Sequence, residues 1–319
     1  MSLSHDVVRV TGVMLLLGAA LAATGRPQTS GDEPSPGFTL RTTSRLVLLD
    51  VSVKDSKGGF VSGLTQDQFK VYEDGKPQVI SQFSNSDVPV TVGIVVDESG
   101  SMRRKRPEVL TAALEFIHAS NSQDEMFVVN FNERARRGLP DLVPFSDNIN
   151  QLRAALWQGD PEGRTALYDA IELAMRQLQL GRRAKQALVV ISDGGDNVSK
   201  HTLAEVTHDL LNSLVTLYTV GIFDQDDPER NPGVLEKLAH VSGGVVYFPK
   251  QLDQVIPICK QIAQDIRTRY TIGYIPLAEG KAVRRIKVVA AAPGHENLMV
   301  RTRTSYQFSP ESEAAAAAK

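Results

Sequence analysis

The first place in this sequence where side chains could do chemistry is an aspartate that ends an apolar run and is followed by two serines at alternate positions. Residues 91–96 lead into Asp97-Glu98-Ser99-Gly100-Ser101, a D-x-S-x-S pattern with Met102 behind it. A second apolar run, 187–191, leads in the same way into Ser192-Asp193-Gly194-Gly195, and a third polar stretch, Gly163-Arg164-Thr165, precedes an amphipathic segment. Together they offer carboxylates from Asp97 and Asp193 and hydroxyls from Ser99, Ser101 and Thr165. Hard oxygens of this kind suit Mg²⁺, Mn²⁺ or Ca²⁺ rather than zinc or copper. Mg²⁺ takes about six ligands and usually keeps several waters, so two carboxylates and three neutral hydroxyls, some acting through water, leave a coordination position open. With few negative charges around it the ion stays electrophilic, and the open position favours a carboxylate from another molecule. The same residue types also have a purely structural use, because Asp and Ser bond exposed backbone N–H groups in turns and helix caps. Thr165 stands where an N-cap would, and Asp169 falls in the first turn of a helix, where negative charge is favourable in any case. Asp169 and Glu98 are read as structural, Asp196 and Asn197 as turn residues, and Asn197-Val198-Ser199 also spells a glycosylation sequon.

Three loops can meet only if the elements behind them deliver them to one edge. Residues 91–96, 126–131, 187–191, 215–223 and 244–248 are apolar runs with the character of buried parallel strands. Helical periodicity lies between them, clearest in 166–180 (Leu167, Ile171, Ala174, Met175, Leu178) and 252–266 (Val255, Ile256, Cys259, Ile262, Ala263, Ile266). The alternation predicts a doubly wound α/β domain with a mainly parallel sheet and right-handed crossovers. Ligands of such sheets sit beyond the carboxyl ends of the strands, where strand order reverses, and both Asp97 and Asp193 follow strand ends. The flanks differ. In 40–83, Val47, Leu49, Val51 and Val53 alternate with Asp50, Ser52 and Lys54, Lys57-Gly58-Gly59 and Asp74-Gly75 mark turns, and Thr65-Gln66-Asp67-Gln68 fits a capping box. Strand character returns in 270–276, 284–291 and 299–308, with Pro293-Gly294 as a turn. Small sheets need a covered hydrophobic face. Segments 40–85 and 270–308 are therefore predicted to pack as one discontinuous β-sandwich, with the α/β domain, 88–269, inserted between them.

With three loops in this order, the sequence resembles the von Willebrand factor type A domain and its metal-ion-dependent adhesion site, found also in integrin I domains. The resemblance covers residues 88–269 and rests on Asp97, Ser99 and Ser101 in the first loop, Thr165 in GRTALYDA and Asp193 in ISDGGDN. It implies a Rossmann-like fold in which Ser99, Ser101 and Thr165 contact the metal by their hydroxyls, with Asp97 and Asp193 often acting through water. It also implies that strand 91–96 is central, with 126–131 on one side, 187–191 on the other, and 142–145 as a short edge strand. The flanking stretches VSGLTQDQFKVYEDG, YTIGYIPL and RRIKVV resemble those of exported bacterial von Willebrand factor A-related proteins, abundant in Acidobacteria.

Composition narrows the function. Lys plus Arg number 35 against 37 Asp plus Glu, a formal charge of -2, so no global basic field exists to hold a nucleic-acid backbone. One cysteine, Cys259, rules out an intrachain disulfide and a Cys-rich metal site, and the histidines show no H-E-x-x-H or paired spacing. Asp-based phosphatases need a second Asp two residues after the first, where Ser99 stands, and neither a G-x-S-x-G elbow nor a Walker-type loop is present. The expectation is a non-enzymatic binding protein whose Mg²⁺ or Mn²⁺, or else Ca²⁺, is completed by an Asp or Glu of an extracytoplasmic partner protein. An envelope scaffold with a structural or vestigial metal site, and a metal-dependent hydrolase, are the alternatives. The run Arg103-Arg104-Lys105-Arg106 reads either as a solvated basic loop before Pro107 or as a rim that steers an acidic ligand. At the amino terminus, an apolar run at 10–23 stands behind Arg9 and contains Ala20-Leu21-Ala22, the small-x-small pattern of a cleavage site. A signal peptide over 1–23 predicts a periplasmic or secreted protein; left uncleaved, and extended back to Val7, the segment would be an anchor and the only membrane contact. No Cys follows the run, which excludes a lipoprotein. Residues 24–39 read as a flexible linker and 309–319 as a disordered tail.

Overall fold

The computed structural model describes residues 46–308, apart from 224–227, 229, 278–279 and 296. The signal peptide, the linker and the tail expected at 1–23, 24–39 and 309–319 lie outside the described residues.

The first flank contributes strands β1 (Val47–Lys54), β2 (Phe69–Glu73), β3 (Lys76–Gln78) and β4 (Ile80–Ser84). Between β1 and β2 a short 3-10 turn, Gln66–Gln68, is held by the Thr65 capping box. Asp74 and Gly75 turn between β2 and β3 with φ of 46° and 82°, the left-handed pair that a two-residue hairpin needs. The central region runs β5 (Val90–Asp97), α1 (Arg106–Ala119), β6 (Glu125–Phe131), β7 (Ala135–Arg137), α2 (Ile149–Leu156), α3 (Leu167–Leu178), β8 (Lys185–Ser192), α4 (Leu203–Asn212), β9 (Val215–Gly221), α5 (Pro232–Ser242), β10 (Val246–Tyr247) and α6 (Val255–Thr268). The second flank adds β11 (Tyr270–Tyr274), β12 (Val283–Ala290), β13 (Met299–Arg301) and β14 (Ser305–Gln307).

The central strands form one six-stranded sheet in the order β10-β9-β8-β5-β6-β7. Its pairs are parallel except the last, β6 with β7. All eight residues of β5 are buried, as a strand covered on both faces requires. From β5 the chain passes to β6 on one side and later to β8 on the other, so strand order reverses between β5 and β8. Helices flank the sheet; α1 packs against α6, and α4 touches both α3 and α5.

One expected element is absent. Residues 142–145 form no strand: Val143 N–H donates to the Pro140 carbonyl at 2.8 Å, Leu142 is 95% exposed, and the chain meets β6 only at the next residue, in a single antiparallel bridge between Ser146 and Met126. Pro140 and Pro144 lack the N–H groups a ladder needs, and the edge is taken by β7.

The flanks build two antiparallel four-stranded sheets, β13-β1-β11-β4 and β14-β12-β2-β3. Each draws strands from both flanks, and Leu49, Val51, Ile272 and Tyr274 of one share a core with Phe69, Val71, Ile286 and Val288 of the other. Within it the buried Glu73 accepts from the Tyr274 and Tyr306 hydroxyls, each at 2.7 Å, and from Arg284 Nη1 at 2.8 Å. The stretch expected as one strand at 299–308 is two, because Arg303 between them turns inward and donates from Nη2 to the Ser213 carbonyl.

Candidate metal centre

Asp97 is the last residue of β5 and is 3% exposed. Its Oδ1 accepts from Ser99 N–H at 2.8 Å, closing the turn that places Ser99 before the 3-10 turn Gly100–Met102. Its Oδ2 accepts from the Ser192 hydroxyl at 2.6 Å, across the β5–β8 reversal. Ser99 Oγ lies 3.1 Å from Ser101 Oγ, and Ser101 Oγ donates to Asp193 Oδ2. The other Asp193 oxygen accepts from Gly195 N–H at 3.0 Å. Gly194 sits between them with φ of 83°, and a Cβ there would stand 2.4 Å from the Asn231 carbonyl oxygen. Four of the five expected residues thus form one hydrogen-bonded chain at the carboxyl end of the sheet, the link from Ser99 to Asp97 being made by the Ser99 backbone N–H.

Thr165 reaches this end through its loop. Its N–H donates to Asn197 Oδ1 at 2.9 Å, and its carbonyl accepts from Asn197 N–H at 3.0 Å. Two residues earlier the Gly163 carbonyl accepts from Gly100 N–H at 3.1 Å, which ties the second loop to the first. Thr165 is buried and directly precedes Ala166, the cap of α3.

Burial, and after it the charge of Asp193, push the Asp97 carboxyl up to about 7, against the hydrogen bonds from Ser192 and Ser99. Two carboxylates brought together beside hydroxyl oxygens fit a hard divalent cation. Among the described residues no three His, Cys, Asp or Glu gather as a metal cluster, so neutral hydroxyls must supply the rest of any such set.

The basic run divides. Arg103 and Arg104 are exposed, and Arg103 Nε donates to the Pro161 carbonyl at 3.0 Å. Lys105 is buried, its Nζ donating to the Ile222 carbonyl at 3.3 Å, and Arg106 Nη2 lies 3.1 Å from Glu98. Of the four residues expected as a steering rim, Arg103 and Arg104 are exposed while Lys105 turns inward and Arg106 turns to Glu98, because the tightening turn into α1 points successive side chains in different directions. Glu98 has a fully buried side chain that also meets Arg136 at 2.9 Å, joining the first loop to α1 and β7. Asp169 accepts from the N–H groups of Lys200 and His201, and its Oδ1 lies 2.6 Å from His201 Nδ1. Sequence reasoning gave no role to Ser192, whose hydroxyl orients Asp97, and gave Asn197 only that of a turn residue. Ser192 stood in the quoted motif, and a hydroxyl at the end of the strand beside β5 was the available signal.

Residues 92–195 match the family model of the von Willebrand factor type A domain. The chain carries such a domain. A structure of a von Willebrand factor type A protein from Catenulispora acidiphila superposes with a TM-score of 0.50 at 14% identity, covering 86% of this chain and 76% of that one. The conserved hypothetical protein BatB from Bacteroides thetaiotaomicron matches with a TM-score of 0.45 at 17% identity, over 56% of this chain and 98% of that one. Proximal thread matrix protein 1 from the mussel byssus, in a form with a zinc occupied MIDAS motif, matches with a TM-score of 0.46 at 15% identity, over 61% of this chain and 49% of that one. At 14% identity the likeness to the Catenulispora acidiphila protein is one of fold. No curated protein matches the sequence. Among the described residues no helix is long and apolar enough to cross a membrane.

Proposed function

We propose that this protein is exported and binds a partner protein through a divalent cation, Mg²⁺ or Mn²⁺, at the carboxyl end of its von Willebrand factor type A sheet. The observation that carries the reading is the hydrogen-bonded chain Ser192–Asp97–Ser99–Ser101–Asp193 at the strand-order reversal, where open α/β sheets take their ligands. Asp97, Ser99, Ser101, Thr165 and Asp193 would hold the ion. A bound cation of this type supplies an electrophilic position for a carboxylate of the partner. The chain's own part is to hold the donors in place: Ser192 and the Ser99 N–H orient Asp97, Gly195 N–H orients Asp193, and Asn197 fixes the Thr165 backbone. A single carboxylate contact made by exchange with water gives modest affinity, so the surrounding surface must supply specificity. Arg103 and Arg104 stand on the same first loop and favour an acidic partner surface. Export rests on the apolar segment at 10–23. The reading is of a binding module, not an enzyme.

A metal-dependent pull-down from envelope extract tests it. Retention of a partner in Mg²⁺, its loss in EDTA and its loss with Asp97→Ala are expected, with Ser99→Ala, Ser101→Ala and Thr165→Ala each weakening it. Retention that survives both EDTA and Asp97→Ala would replace this reading with a scaffold whose partner surface lies elsewhere.

A further inference from the structure

At the opposite end of the sheet, where β8 begins, the type A domain meets the β-sandwich around a cavity of about 210 Å³. Its wall joins Lys185, the first residue of β8, to Asp50 of β1 and to Arg303, which lies between β13 and β14. Leu48, Val88 and Leu214 supply apolar surface, and Leu214, 47% exposed, stands at its mouth. Lys185 and Arg303 are each 8% exposed. Lys185 Nζ donates to the Arg269 carbonyl at 2.9 Å, and Arg303 Nη2 to the Ser213 carbonyl, so both cations rest on neutral acceptors. Burial pulls both groups below their ordinary pKa, and Asp50 draws both back up. Asp50 is the one carboxylate on the wall among the described residues. Two buried cations and one anion leave the wall a charge short; of the further charges acting on Lys185, Asp87 raises its pKa and Arg269 lowers it, one of each sign, so they leave the balance unchanged, and a buried charge without its counter-ion is costly. The metal centre, at the other end of the strands, uses none of these residues.

We propose that this cavity binds a small organic monocarboxylate, its carboxylate at Lys185 and Arg303 and its apolar body against Leu48, Val88 and Leu214. A single negative charge balances the wall, and the apolar lining favours a carboxylate with a carbon body over an inorganic anion. The volume falls below the roughly 300–1,000 Å³ of sites for drug-sized ligands, which limits the ligand to about the size of benzoate.

Calorimetric titration of the full chain with benzoate, benzamide and inorganic phosphate tests the proposal. Benzoate is expected to bind saturably and benzamide, equal in shape but uncharged, at least about tenfold more weakly. Binding should be unchanged in EDTA and in Asp97→Ala, which separates it from the metal centre. Lys185→Met should weaken benzoate by a similar factor, and Leu214→Trp, which blocks the mouth on an exposed residue, should do the same if the lysine variant fails to fold. Absence of saturable benzoate binding, equal binding of benzamide or of phosphate, or an affinity unchanged in the folded variants would overturn it.

Discussion

Replacing Asp265 with alanine would remove the carboxylate at the centre of the junction between the sandwich and the type A domain. Asp265 lies on α6 with no exposed surface, and it accepts from Ser52 Oγ of β1, from the Tyr218 hydroxyl at 2.7 Å, and from Arg269 Nε and Nη2 at 3.3 and 3.1 Å. Arg269, 3% exposed, also donates to the Gly243 carbonyl at 3.0 Å and the Asp50 carbonyl at 3.4 Å. Burial works against the ionised carboxylate, but the Arg269 charge and the hydrogen bonds from Ser52, Tyr218 and Arg269 outweigh it and hold the group below its ordinary pKa. Breaking a buried pair by removing one partner costs about 3–5 kcal/mol, because the other charge stays buried. The two carbonyls left to Arg269 place the expectation near the lower end, about 3 kcal/mol. At roughly 2–4 °C per kcal/mol for a chain of this size, the melting temperature should fall by about 6–12 °C. Urea unfolding followed by circular dichroism at several pH values measures it. A depressed carboxylate pKa contributes stability above the unfolded value near pH 4 and loses it as pH falls through the folded value, so wild type and Asp265→Ala should converge in acid. A neutral-pH difference below about 1 kcal/mol, or one that persists undiminished in acid, would refute the claim that this ion pair holds the junction.

Three further outcomes are expected. Glu98→Ala should cost about 2 kcal/mol, less than a fully buried pair because Arg136 can rehydrate, and should weaken Mg²⁺ binding measured by calorimetry, while Glu98→Gln retains more of both. Gly194→Ala combines a φ of 83° with a Cβ 2.4 Å from the Asn231 carbonyl oxygen, so it should destabilise the fold by more than about 1 kcal/mol in urea unfolding. Mg²⁺ at about 100 times its Kd should add about 2.7 kcal/mol of stability; in Asp97→Asn that gain should vanish, which differential scanning calorimetry reads directly.

Much of this was readable in the sequence because it is local. A strand buried on both faces must be apolar throughout, so β5, β6, β8 and β9 stood out as runs, and the period of α3 and α6 was visible between them. The alternation in β1 and the Asp74-Gly75 turn are equally short-range. Asp97, Ser99 and Ser101 fall within five residues, so their convergence needed only a strand end and a turn.

What lies beyond local pattern was decided by tertiary structure. That β6 pairs with β7 and, further along, with Ser146 alone, while 142–145 stay outside the sheet, depends on where the chain returns to β6. The direction of each residue in the basic run depends on the turn into α1 and on Glu98 and Ile222 as partners, which is why Lys105 turns inward while Arg103 stays outside. The bond from Ser192 to Asp97 spans 95 positions, and the one from Ser52 to Asp265 spans 213. The sequence by itself determined the alternation of elements and the residue types at each strand end, because periodicity and turn chemistry act over a few residues. Only the fold decided which of those ends meet and which buried charges find partners, because each such contact is made by an element whose place is set by all the others.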